Sequence, residues 1–176
     1  MLSKSTTLKF YKRKDIQDAM IQHAERKEIG VRYDEAFGKR PDILMYPHEI
    51  LELALKNATS FHASEELWDN PLSLSGVSNK KELDGFRAGW DLVLDIDCKD
   101  WELSKLTTSL FINALKENRV KDISCKFSGN KGFHIGVPFE SFPPKIGGQD
   151  SKSLFPLAAQ KISQYLQNIT WFQNLV

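Results

Sequence analysis

The sequence predicts an α+β fold: a mixed β-sheet with helices packed on one of its faces. Three observations carry this prediction. Apolar and polar residues alternate as in strands over 90–98, 121–128 and 133–138. A long amphipathic segment between the first two strands predicts a helix that suits a crossover connection. The short glycine-bounded loop at 129–132 predicts that the last two strands form a hairpin.

The N-terminal part, residues 1–89, is expected to be a helical and irregular region that packs on the core. Apolar residues recurring on one face predict a helix over 14–28. A second helix is predicted over 47–57, because Pro47 suits its first turn and an apolar face follows. Residues 57–80 carry turn signals and have no clear periodicity.

The second part, residues 90–176, is expected to form the core in the order strand, helix, strand, strand. A last helix is predicted over about 154–168. The helix between the strands, over 101–119, carries one apolar stripe that we expect to face the sheet: Leu103, Leu106, Leu110, Ala114 and Leu115. This order of elements is typical of RRM-like and other α+β folds.

Composition places the chain among ordinary globular proteins. Hydrophobic residues make up 41% and charged residues 27%, which argues against a mainly disordered chain. No uncharged apolar stretch approaches the roughly 18 to 20 residues of a membrane span. The charged N-terminal segment also lacks the apolar centre of a signal peptide. We therefore expect an intracellular protein without a membrane partner.

Charge is distributed unevenly along the chain. Residues 1–40 and 101–176 are net basic, whereas residues 41–100 are net acidic. This pattern suits a cation site beside a polyanion site, and scattered charge on a solvated surface explains it equally well. Cys98 and Cys125 have no closely spaced partner, so no zinc site is expected within this chain. Their place in strand-like runs predicts small buried side chains.

The polar sides of the three predicted strands gather side chains suited to phosphate chemistry: Asp95, Asp97, Lys126, Ser128 and His134. Lys131 lies beside them in the hairpin loop. Carboxylates two residues apart on a strand lie about 7 Å apart along the backbone and can converge on a divalent cation. Hydroxyl, ammonium, imidazole and loop N–H groups supply donors for a triphosphate. The combination predicts metal-dependent nucleotidyl transfer.

Each element also has a plainer interpretation. The aspartate pair by itself is typical of a solvated strand end, and a single histidine is usually a hydrogen-bonded core residue. The Ser-Gly-x-Lys-Gly segment lacks the spacing of a P-loop and by itself is an ordinary turn. Because these residues are predicted to share one face of the sheet, the combination favours nucleotidyl transfer over the plainer interpretations. A glycosyltransferase that holds a nucleotide sugar through an Asp-x-Asp pair is a second enzyme class, although it has no need of the hairpin residues.

Two segments together resemble a known family. GWDLVLDIDC at 89–98, followed by KFSGNKGFHIGVP at 126–138, resembles the catalytic centre of the archaeal/eukaryotic-type DNA primase small subunit, in the primase-polymerase superfamily. The resemblance, which covers roughly 87–138, implies template-directed synthesis of short RNA or DNA primers by this nucleotidyltransferase. It implies that Asp95 and Asp97 bind Mg²⁺ or Mn²⁺. By the same resemblance, three further residues hold the phosphates of the incoming nucleotide: Ser128, Lys131 and His134.

The resemblance also implies partners: a single-stranded DNA template, an NTP or dNTP, and a primase large subunit in a heterodimer. The implied location is the cytoplasm, at the nucleoid, or the nucleus in a eukaryote. The family's third acidic motif and its zinc element have no counterpart here, since Glu140 and Asp150 lie in loop-like sequence.

The missing motif and the apolar end TWFQNLV predict a core that is incomplete at its C-terminus and inactive by itself. Three alternatives remain open. Another chain supplies the missing carboxylate, the site is degenerate, or the protein is a non-catalytic primase-like subunit that binds DNA or a replication partner.

Overall fold

Two separate apolar cores organise this α+β chain in the structure, a computed structural model that describes residues 3–129 and 131–173. The chain divides into two units, Met1–Ala88 and Gly89–Val176, and each core lies within one unit. Within the described ranges, no helix has both the length and the apolar character needed to cross a membrane.

Three helices build most of the first core: α1 (Lys4–Tyr11), α2 (Lys14–Ala24) and α3 (Pro47–Leu55). Helix α1 begins after Ser3, whose side chain accepts a hydrogen bond from the third N–H that follows it. Helix α3 begins with a proline and is capped by Glu49, whose carboxylate accepts the N–H of Tyr46 at 2.7 Å. A short helix, α4 (Lys80–Phe86), comes near the end of this unit.

A three-stranded antiparallel sheet completes the first core, in the order β2 (Ala36–Phe37), β1 (Ile29–Tyr33), β3 (Ser60–Ala63). Ile29 and Val31 are buried with residues of the three helices. This sheet corrects the expectation that residues 1–89 are only helical and irregular. Its strands are only two to five residues long, so their alternation is too brief to stand out. Strands β4 (Glu66–Trp68) and β5 (Arg87–Trp90) follow.

The second unit contains a three-stranded sheet in the order β6 (Leu92–Asp97), β8 (Gly132–Val137), β7 (Ser124–Phe127). Helix α5 (Trp101–Glu117) lies between β6 and β7 along the chain, as the alternation predicted. Both strand pairs are antiparallel. The prediction of a mixed sheet is therefore wrong: β8 inserts between β6 and β7, so the two parallel strands are not neighbours.

One face of this sheet carries the second core. Alternate residues of β6 are buried, and they pack with Ile135 and Val137 of β8. Phe111 of α5 and Leu166 of α6 (Leu157–Gln173) belong to the same buried cluster, so both helices cover this face. The other face bears the exposed residues of β6. A short antiparallel hairpin of β9 (Lys145–Ile146) and β10 (Gln149–Asp150) precedes α6.

The buried side of α5 agrees with the predicted apolar stripe at Ala114 and Leu115 and differs from it in the first two turns. Leu103 and Leu106 are 48% and 49% exposed, whereas Ser104 and Thr108 are buried. The polar side chains tolerate burial because their hydroxyls reach carbonyl groups; that of Thr108 donates to the carbonyl of Ser104 at 2.7 Å. The helix is therefore turned so that its first two leucines lie outside the core.

Other predictions concern the cysteines and the end of the chain. Cys125 is exposed and Cys98 partly exposed, contrary to the expectation of burial, because β7 is an exposed edge strand and β6 ends one residue before Cys98. Glu140 lies in a 3₁₀ turn and Asp150 in β10. The prediction of an incomplete core depends on four apolar residues whose side chains lie outside those described: Trp171, Phe172, Leu175 and Val176.

Candidate functional site

Strand register aligns polar residues in a row across the sheet of the second unit. Asp95 of β6 pairs with His134 of β8, and His134 pairs with Lys126 of β7. Their chain neighbours Leu94 and Ile135 are buried against the helices, so alternation turns the row to the opposite, open face. One straight row therefore runs from a carboxylate at one edge of the sheet, over an imidazole, to an ammonium group at the other edge.

A second row lies next to the first, where the hairpin begins. Asp97 pairs with Gly132, and the N–H of Ser128 donates to the carbonyl of Gly132 at 2.9 Å. The N–H of Gly132 donates in turn to the hydroxyl oxygen of Ser128 at 3.2 Å. Because Gly132 has no side chain, the middle of this row is bare backbone between a carboxylate and a hydroxyl.

Asp95 and His134 are in contact. Nε2 of His134 lies 3.4 Å from Oδ1 of Asp95, and their side chains are 33% and 67% exposed, respectively. A neutral imidazole with its proton on Nε2, or an imidazolium, is oriented by this carboxylate. The carboxylate remains open to solvent on its other side, so the contact leaves oxygen atoms available to a ligand.

Ser104 of α5 contacts the backbone of two segments beside the rows, the end of β6 and the hairpin loop. Its side chain is fully buried, and its hydroxyl oxygen lies 3.0 Å from the carbonyl oxygen of Lys131 and 3.4 Å from that of Cys98. One carbonyl belongs to the hairpin loop and the other to the residue after Asp97. The start of α5 thus positions the loop of Lys131 relative to the end of β6.

The register brings most of the predicted site residues to one face: Asp95, Asp97, Ser128 and His134. Asp95, Asp97 and Ser128 are exposed and His134 is half-buried. Lys131 lies in the hairpin loop and is also exposed. The arrangement can present acceptor oxygens to a cation on β6 and hydrogen-bond donors to an anion on β7, β8 and their loop.

The carboxylates of Asp95 and Asp97 suit Mg²⁺ better than structural zinc. Among residues 3–129 and 131–173, no three His, Cys, Asp or Glu side chains form a group that could hold a metal. A closed protein cage, as structural zinc requires, is therefore not formed by the described residues. Mg²⁺ is commonly held by one or two carboxylates with substrate phosphates and water, and the exposed pair Asp95 and Asp97 fits that donor set.

Comparisons with known proteins add little to this geometry. No protein-family model matches the chain. A 58-residue stretch is 43% identical to an uncharacterized protein, MJECS07, of Methanocaldococcus jannaschii. That stretch covers 32% of this chain but only 13% of the other protein, so the similarity concerns a small part of that protein's length.

Two residues that shape the site escaped the sequence-based prediction. Ser104 is not singled out by the sequence, because the apolar stripe through Leu103 and Leu106 predicts a different buried side for α5. The signal that could have found it is the hydroxyl pair Ser104 and Thr108, which is in phase with Phe111. Gly132 was noticed only as a loop boundary, whereas it is the first residue of β8.

Proposed function

We propose that this chain carries the catalytic core of a DNA primase small subunit of the archaeal/eukaryotic type, built on an RRM-like sheet. The reaction is template-directed nucleotidyl transfer that makes short RNA or DNA primers. The observation that carries the proposal is the pair of neighbouring rows on one open sheet face, with carboxylates on β6, a hydroxyl just after β7 and an imidazole on β8. The partners are a single-stranded DNA template, an NTP or dNTP, and a primase large subunit.

Asp95 and Asp97 are the residues that would hold Mg²⁺ or Mn²⁺. Both are exposed on the face opposite the helices, and their separation along one strand lets the carboxylates converge. Two adjacent carboxylates repel each other, so a cation between them stabilises the pair. When bound, the ion supplies positive charge that neutralises the phosphates of the substrate.

The remaining site residues bind and orient the nucleotide. The hydroxyl of Ser128 and the ammonium of Lys131 donate hydrogen bonds to phosphate oxygens, and His134 as an imidazolium donates one through Nδ1 while Nε2 faces Asp95. The 3′-oxygen of one nucleotide forms a bond to the α-phosphorus of the next, and the bond from that phosphorus to pyrophosphate breaks. The hydroxyl proton leaves to solvent, so no protein nucleophile is required. Catalysis then rests on positioning and on charge.

The proposal is tested by primer synthesis with Asp95→Asn and Asp97→Asn. The assay uses labelled nucleotides, Mg²⁺ or Mn²⁺ and a single-stranded DNA template, with the full chain by itself and with candidate partner chains. We expect either substitution to abolish synthesis while leaving the fold intact, because both side chains are exposed and the amide keeps their shape. Circular dichroism and thermal melting report the fold.

The matched control is Glu140→Gln, which also removes one exposed carboxylate of the second unit but lies in a 3₁₀ turn outside the two rows. It should synthesise primers as the unchanged chain does. Synthesis at an unchanged rate by Asp95→Asn or Asp97→Asn would remove these residues from the metal site and refute the proposed mechanism.

A second candidate is a primase-like subunit that binds DNA or a replication partner without chemistry. It is favoured by the finding that fewer than three potential metal ligands converge among the described residues. The same assay separates the two. A chain that binds single-stranded DNA but makes no primer, with or without partner chains and with either metal, is the non-catalytic subunit.

A further inference from the structure

Lys126 occupies the far end of the first row and has no role in the function proposed above. It lies within the edge strand β7, and its register partner is His134. The side chain is exposed on the face opposite the helices. No ion pair or hydrogen bond of its ammonium group occurs among residues 3–129 and 131–173. A charge in this position is therefore available to a ligand that lies on the open face.

The spacing of the strands indicates how long a ligand must be to contact all three of them. Neighbouring strands lie about 4.8 Å apart, so β6 and β7, on either side of β8, are about 9.6 Å apart. A chain of phosphates laid across the strands can thus reach from the carboxylate of Asp95, over the imidazole of His134, to the ammonium of Lys126. A single phosphate held near His134 does not span the same row.

We propose that Lys126 is a subsite for the terminal phosphate of a polyphosphate that lies across the three strands. This inference rests on the proposed function in one respect, which is that the open face binds a nucleotide. The subsite makes the face selective for a triphosphate over shorter anions. Ser128 and Lys131 contact the same polyphosphate from the neighbouring row and the hairpin loop. Lys126 therefore positions the leaving pyrophosphate and does not take part in proton transfer.

A purely structural role for Lys126 has a different signature. Lysines on edge strands also prevent sheets from pairing edge to edge. In that case the replacement of Lys126 by an uncharged residue promotes self-association and leaves anion binding unchanged. Light scattering distinguishes this outcome from loss of a ligand contact.

The test measures binding of three inorganic anions to the full chain by calorimetry, with Mg²⁺ present: phosphate, pyrophosphate and tripolyphosphate. Lys126→Met should weaken tripolyphosphate binding about five- to tenfold, as expected for one exposed charge-assisted contact. Pyrophosphate should lose less, and phosphate least, because a single phosphate held near His134 does not need Lys126 in order to bind. Lys126→Arg should restore most of the tripolyphosphate affinity, because it keeps the charge. His134→Ala should weaken binding of all three anions.

Lys121→Met is the matched control, since Lys121 is an exposed lysine three residues before β7 and outside both rows. It should leave the three affinities unchanged. Equal losses for Lys121→Met and Lys126→Met, or equal losses for all three anions in Lys126→Met, would overturn the subsite. If Lys126→Met associates in solution, Lys126→Gln is measured under the same criteria.

The subsite and the proposed function fail separately. If tripolyphosphate binding depends on Lys126 but the chain makes no primer with any partner, the subsite stands and the polymerase activity falls. If primers are made and Lys126→Met binds tripolyphosphate with unchanged affinity, the polymerase activity stands and the subsite falls.

Discussion

Gly132 is a residue at which almost no substitution fits. A Cβ atom built there would overlap the backbone carbonyl of Ile96 in the neighbouring strand, and the same residue forms the bare centre of the second row. We expect Gly132→Ala to lower the free energy of unfolding by about 2–4 kcal/mol, because backbone must shift to relieve the overlap. Chemical denaturation followed by circular dichroism measures the loss.

The control for that change is Gly85→Ala. Gly85 lies in α4, and a Cβ there meets no atom within 4 Å. Alanine favours helix over glycine, so this variant should be as stable as the unchanged chain or more stable by up to about 1 kcal/mol. Wild-type stability of Gly132→Ala would contradict the register of β6 and β8.

Individual residues also show what alternation could and could not predict about the site. The period of two placed Asp95 and Asp97 on one face without further information, since β6 is a regular strand with one buried side. It could not give the row partner of each aspartate, because register depends on how the hairpin closes. The pairing of Asp95 with His134 and of Asp97 with Gly132 is known only from the assembled sheet.

Helix α5 offers a contrast between two kinds of apolar residue. Phe111 is buried in the second core, whereas Leu106 is 49% exposed. We expect Phe111→Ala to lower the free energy of unfolding by about 3–5 kcal/mol and Leu106→Gln by less than about 0.5 kcal/mol. Thermal or chemical melting of the two variants measures the difference. A larger loss for Leu106→Gln than for Phe111→Ala would mean that α5 is turned with its predicted apolar stripe towards the core, and equal losses would contradict the observed burial of Phe111.

The elements themselves were predictable to different degrees. The three strands β6, β7 and β8, their hairpin and the extent of α5 follow from strong local periodicity, and the structure differs by only a few residues at the ends. The rotation of α5 about its axis could not be predicted from periodicity, because Ser104 is a polar residue that is buried. Its hydroxyl reaches a backbone carbonyl, which offsets the cost of burial. Strands β1 and β3 are stabilised by contacts with distant helices, which local sequence does not reveal.

At the scale of the whole chain, the two cores share no buried residue among those described. Ile50 is fully buried in the first and Ile135 in the second. We expect Ile50→Ala and Ile135→Ala each to reduce stability by about 2–5 kcal/mol. Hydrogen exchange should show lost protection in β1 and β3 for the first variant, and in β6 and β8 for the second. Loss spread equally over both units in either variant would contradict this division.

The buried hydroxyl of Ser104 has a thermodynamic consequence for any ligand of the open face. Its oxygen lies within hydrogen-bond distance of the carbonyls of Cys98 and Lys131, so folding restricts the backbone of these two residues. A ligand that binds beside these two residues would then need less ordering of this part of the backbone. Such a ligand would gain affinity from Ser104 without touching it, since the side chain of this serine is wholly shielded from solvent.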